Sequence, residues 1–179
     1  MGKSNFTPVM LGLLMVFSSI SGCLGNDLFE TADKKGKPGG LALACLSSAK
    51  YTSMVVEIDY DPGYMPEQSS INLLKTRLQE VCDKPNGISV ELTETNFGHT
   101  GTWDANDVRE QGWEHKSNQP QTGSTLYWQA LFPSSEYSNE DGETVLGVAV
   151  DASTVAIFKE TVEDAEGPIF SLSLIHISE

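Results

Sequence analysis

The groups most suited to ligate metal in this 179-residue sequence, and among those that can move a proton, are three histidines, three cysteines and 25 acidic residues. His99 sits in a glycine-containing loop, His115 in or after a helix, and His176 near the last residue. None is followed by glutamate or spaced as H-x-x-x-H, so the helical pattern that brings two imidazoles and a general-base carboxylate to one zinc is absent. No histidine is assigned to metal. Glu57, Asp59 and Asp61 recur at every second residue, which on a strand places all three on one face. Such oxygen donors suit calcium, but the D-x-[DN]-x-[DN]-G loop that wraps the ion is missing. A solvated edge is the expectation for them. No G-x-S-x-G elbow, P-loop or G-x-G-x-x-G follows a strand, and Gly36-Lys37-Pro38-Gly39-Gly40 reads as spacer. Paired carboxylates for glycoside hydrolysis carry no signal, because with this many acids some pair always arises. Catalytic residues: none; metal ligands: none.

The formal charge of −14 excludes nucleic acid as an expected partner, since phosphate binding requires clustered Lys and Arg. It also speaks against lying flat on anionic lipid. The acidity fits solubility in a salty exterior, where repulsion is screened.

Residues 1–22 have the layout of a secretory signal. Lys3 gives a positive start, Val9 to Phe17 form an apolar run, and small residues from Ser18 lead to Cys23. The run is too short for a comfortable membrane span. Ile20-Ser21-Gly22-Cys23 resembles a lipobox. That resemblance implies cleavage before Cys23, a lipid on its sulfur, and a domain held at the cell membrane facing away from the cytoplasm. The alternative is a plain signal peptide or a single N-terminal anchor, with Cys23 incidental. Residues 23–44 then form the lipidated cysteine and a flexible tether rich in Lys, Asp, Gly and Pro. Cys45 and Cys82 remain; in an exported chain they can form a disulfide, or stay as two buried thiols. Neither belongs to a C-x-x-C or has a histidine close in sequence, so redox and zinc roles lack support.

The elements that would position these groups follow from periodicity. Met54, Val56 and Ile58 alternate with Val55, Glu57 and Asp59, predicting a strand over 51–60 with one well-buried face. Asp61-Pro62-Gly63 turns the chain. Ile71, Leu74, Leu78 and Val81 make one helical stripe, with Pro66 suited to the first turn. Ile88, Val90 and Leu92 predict a second strand. Strand, helix and strand in so short a span form a βαβ unit with parallel strands and a right-handed crossover. Asp104 or Thr102 caps a weaker helix running to about His115, anchored by Trp103, Val108 and Trp113 and interrupted by Gly112. A central strand is expected over 124–132. Strands over 144–150 and 154–158 can pair antiparallel. The fold class is therefore α/β: a mixed, mostly parallel twisted sheet of about five strands opening with a βαβ unit, in an incomplete domain.

Leu146-Gly147-Val148-Ala149-Val150 with Ala152-Ser153-Thr154-Val155-Ala156-Ile157-Phe158-Lys159-Glu160 resembles a segment of metzincin-like zinc metallopeptidases found as lipoproteins and secreted proteins in archaea and bacteria. Val55 to Tyr60 and Leu78 to Ile88 fit the same family, as does the order of elements. The resemblance implies that residues 45–170 are the N-terminal part of a metallopeptidase-like domain. It also implies that Leu146, Gly147, Val148, Ala149 and Val150 form the edge strand that aligns an extended peptide or protein substrate. In that family the edge region leads to a helix bearing H-E-x-x-H. Here Glu163 to Phe170 carry no such motif. Leu172-Ser173-Leu174-Ile175-His176-Ile177-Ser178-Glu179 resemble the translation of a transposase adaptor used in DNA library preparation. The expectation is an artefactual tail at 171–179, with the zinc-binding part downstream of Thr161 in the parent protein; the alternative is a natural apolar C-terminal strand. As written, the chain binds no cofactor; zinc is expected for the full-length parent. The competing reading is a non-enzymatic, lipid-anchored α/β binding module.

Overall fold

The computed structural model describes residues 36–98, 101–117, 123–138 and 145–158. The signal segment, Cys23, His99, His176 and the 171–179 tail lie outside these residues. In chain order the elements are α1 (Ala42–Leu46), β1 (Ser53–Tyr60), α2 (Gln68–Val81), β2 (Ile88–Glu94), α3 (Ala105–His115), β3 (Thr125–Phe132), β4 (Gly147–Ala149) and β5 (Thr154–Ile157). The five strands form one sheet in the order β2-β1-β3-β5-β4. Neighbours are parallel except β4 and β5, which run antiparallel. This is a mixed, mostly parallel α/β sheet.

The topology explains where the helices sit. From β1 the chain crosses to β2 on one side, then returns past β1 to β3 on the other. Right-handed crossovers in opposite directions place their helices on opposite faces. Accordingly, Ile71 and Leu78 of α2 pack with Met54, Val56, Ile58, Leu126, Ala130 and Phe132 on one face. Val108 of α3 packs with Phe97, Trp103, Leu131, Ala156 and Phe158 on the other. A strand between two such layers is covered on both sides. β1 is buried on both faces from Val56 to Asp59, where alternation alone predicts one.

Two expectations shift in detail, the extent of the tether and the place of Val81. Residues 23–44 read as tether, yet Leu41 and Ala44 are fully buried against the sheet and α1 begins at Ala42, so the packed chain starts inside that stretch. Glycines at 36, 39 and 40 mask the onset of structure in a sequence reading. Cys45 and Cys82 are joined, linking the end of α1 to the residue after α2. Because Cys82 takes the inward position there, Val81 does not continue the stripe of Ile71 and Leu78 but faces out. The ammonium of Lys84 reinforces the junction by donating to the carbonyls of Cys45, Ser47 and Asp83 at 3.0, 2.9 and 2.8 Å. Burial holds that ammonium below its ordinary pKa, opposed by the Asp83 charge.

Of the two candidate caps of α3, Asp104 and Thr102, it is Asp104 that caps the helix. Its carboxylate accepts from the amides of Asn106 and Asp107 at 2.6 and 3.0 Å, and Asp107 accepts from the Asp104 amide at 2.7 Å, closing a capping box. These backbone bonds hold the Asp104 carboxyl below its usual pKa. Trp103 and Val108 anchor the helix, whereas Trp113 is 75% exposed. Gly112, which reads as an interruption, is the point of closest approach to the sheet. A Cβ there would lie 2.7 Å from Cγ2 of Thr154. Gly112→Ala is expected to gain about 1 kcal/mol of helix propensity but lose about 1–3 kcal/mol to overpacking, for a net destabilisation in urea unfolding. Thr154→Ser, which removes the opposing methyl and keeps the hydroxyl, should restore most of the loss in the double variant.

Candidate functional site

Two features built by this fold can carry function: an acidic layer on the face beneath α3, and the open edge at β4. The first begins with Glu57 and Asp59, neighbours on one face of β1. The expectation of a solvated edge for Glu57, Asp59 and Asp61 is overturned: Glu57 is 4% exposed, Asp59 3%, and Asp61 is also buried. The physical reason is that β1 lies one strand in from the edge, and α3 with its flanking loops covers this face. Each carboxylate is supplied with donors. Gln129, in register with Glu57 on β3, donates through Nε2 to Asp59 at 2.8 Å. The Thr95 hydroxyl reaches Asp59 at 3.5 Å. The Ser117 amide donates to Glu57 at 3.2 Å. Lys116 donates to the hydroxyls of Ser153 and Thr154 at 2.7 and 3.1 Å, fastening the end of α3 to β5.

Asp61 ties three loops together at the carboxyl ends of the strands. Its two oxygens accept from the Phe97 amide at 3.2 Å and from the amide and hydroxyl of Ser134 at 2.7 and 2.8 Å. The loops after β1, β2 and β3 thus share one carboxylate, at the position where open α/β sheets usually present ligand sites. In this sheet those oxygens are spent on loop amides.

Burial pushes the Asp59 carboxyl above its ordinary pKa. The Gln129 hydrogen bond opposes this, the Glu57 charge adds to it, and His115 and Thr95 act against it. A carboxylate raised on folding binds a proton in the native state at pH values where the unfolded chain has released it. Stability is therefore higher below that window and falls as pH rises through the native pKa. Asp59→Asn keeps an acceptor for Gln129 and removes the desolvated charge. The expected outcome is a higher denaturation midpoint at pH 7 and a flatter dependence on pH between 4 and 7, read from urea unfolding at fixed pH values.

The second feature is β4. Val150 donates to the Thr154 carbonyl at 3.2 Å and Phe158 to the Leu146 carbonyl at 2.9 Å. With Val148 opposite Ala156, the bonded pairs are 146 with 158, 148 with 156 and 150 with 154. In an antiparallel ladder the intervening residues turn their amides and carbonyls away from the partner strand. Gly147 and Ala149 therefore aim theirs outward, and among the described residues β4 is the last strand of the sheet on this side. Of the residues Leu146, Gly147, Val148, Ala149 and Val150, only Val150 is fully buried.

Comparison with protein-family models, with curated proteins and with solved structures finds no match to this chain. Among the described residues no three His, Cys, Asp or Glu side chains are grouped so as to hold a metal ion. His115 packs edge-to-face on Phe97, ring centroids 5.4 Å apart, beside Asp59. No helix among the described residues is long and apolar enough to cross a membrane.

Gln129, Thr95 and Ser117 belong to no motif or period that marks them individually. The signal was available: a strand placed between two crossovers has no solvated face, so its acids require donors from the adjoining strand and loops.

Proposed function

We propose that this chain is the membrane-anchored N-terminal portion of a metzincin-like zinc metallopeptidase, whose sheet aligns an extended peptide at β4 while the zinc-binding helix belongs to sequence beyond Thr161. The observation that carries the reading is the edge itself. Among the described residues the one antiparallel strand lies outermost, next to the last parallel strand, with the amides and carbonyls of Gly147 and Ala149 directed outward. That arrangement suits main-chain pairing with an added strand, where backbone bonds give affinity and alternate side chains give selectivity. Cys23 is the lipid attachment in this reading, and the lipid supplies the membrane contact. This chain contributes substrate alignment and no catalytic group.

Reading the frame through Thr161 in genomic DNA tests the proposal. The expected result is H-E-x-x-H and a third ligand within a few dozen residues. An uninterrupted frame that ends without them would leave a lipid-anchored binding module.

A further inference from the structure

We infer that the end of the domain carrying the Cys45–Cys82 bridge rests on the bilayer that holds the chain, so that the carboxyl ends of the strands face away from the membrane. The inference rests on reading Cys23 as lipidated. The three most exposed aliphatic side chains among the described residues are Leu43, Leu46 and Val81, at 53, 57 and 58%. Leu43 and Leu46 are one helical turn apart on α1 and share a face. Leu46 and Val81 each adjoin a bridged cysteine. The two cysteine Cα atoms are 4.7 Å apart, so those of Leu46 and Val81 lie within about 12 Å of one another. All three of these exposed apolar residues therefore lie around the bridge.

The patch sits where the chain arrives from the anchor. Twelve residues lie between Cys23 and Gly36, a reach of about 45 Å at full extension, and α1 follows within six residues of Gly36. The patch also lies at the amino ends of the parallel strands, because α1 leads into β1 and Val81 ends the helix that leads into β2. Asp61 and the loops it joins lie at the opposite ends. The nearest acids are already engaged: Asp83 accepts from the amide and hydroxyl of Ser48 at 3.3 and 2.6 Å, and Glu80 pairs with Arg77 at 2.7 Å. An apolar patch beside one carboxylate held by neutral donors and another in an ion pair suits the headgroup–acyl boundary of an uncharged leaflet. The protein's net negative charge makes an anionic one unfavourable.

The test uses the full lipidated chain in phosphatidylcholine vesicles, with p-benzoylphenylalanine replacing Leu43, Leu46 or Val81 one at a time, or Asn96 at the far end as control. The intact mass of each protein reports the lipid on Cys23. After irradiation, lipid adducts at the three patch positions should exceed those at Asn96 at least tenfold. Leu46→Asp combined with Val81→Asp should cut the Leu43 adduct at least fivefold. A lipidated chain that gives equal adducts at both ends, or cross-links to a second copy or to its own residues, overturns this inference alone. A chain without lipid on Cys23 overturns both it and the anchored reading.

Discussion

Replacing Cys45 and Cys82 together by alanine is expected to lower the unfolding free energy by about 3–4 kcal/mol, the chain-entropy value for a bridge spanning 37 residues of sequence. For a domain of this size that corresponds to a fall in Tm of about 10 °C or more. The effect is large because domain stabilities amount to only about 5–15 kcal/mol in total. The loss should also be localised. With the bridge gone, α1 retains the Lys84 ammonium on the carbonyls of Cys45 and Ser47 and the burial of Leu41 and Ala44. Amide exchange in residues 41–46 should therefore accelerate more than in β1 or β3, while the sheet remains cooperative. Differential scanning calorimetry with hydrogen exchange by mass spectrometry separates the global from the local part. An unchanged Tm would show that the bridge constrains nothing that the sheet does not already hold.

Trp103→Ala is expected to cost about 3–5 kcal/mol, the usual range for emptying a buried aromatic site. The indole is fully buried and packs edge-to-face on Phe97 and Phe158, at centroid distances of 5.4 and 6.4 Å. Its backbone also takes part in the fold. The Trp103 amide donates to the Glu136 carbonyl at 2.8 Å, and the Ser138 amide donates to the Trp103 carbonyl at 3.0 Å. The side chain thus seals the second core while the main chain fastens the segment after β3 to the start of α3. Trp103→Phe, which keeps an aromatic ring in the same cluster, should lose less than half as much in urea unfolding. Equal losses for the two variants would mean that a phenyl ring recovers none of the indole's packing.

Much of this architecture is legible from periodicity. The alternation in 54–59 and 88–92, the stripe through Ile71 and Leu78, and the turn residues at 61–63 lead to a βαβ unit, and β1, α2 and β2 form one. The cap of α3 is legible as a choice between Asp104 and Thr102, which the bond from the Asp104 amide to Asp107 decides. What periodicity does not carry is which strands end up interior. Asp59 looks like a solvent-facing residue on any strand taken alone. Its burial follows from the order β2-β1-β3 and from the helix returning over the other face, both of which are long-range facts. Gly112 is ambiguous for the same reason: a lone glycine reads as a weakness until the neighbouring Thr154 is known. Trp113 shows the opposite failure, a large aromatic at an outward helical position. The β4 edge was carried by resemblance rather than by pattern, since three residues are too few to display a period.

The most direct test of the central proposal is zinc stoichiometry in the protein expressed from the uninterrupted genomic locus, purified without added metal and measured by inductively coupled plasma mass spectrometry. The account predicts one zinc per chain, together with a peptidase activity that disappears when the glutamate of H-E-x-x-H is replaced by alanine while the zinc remains bound. A full-length protein that contains no zinc and cleaves no peptide would contradict it.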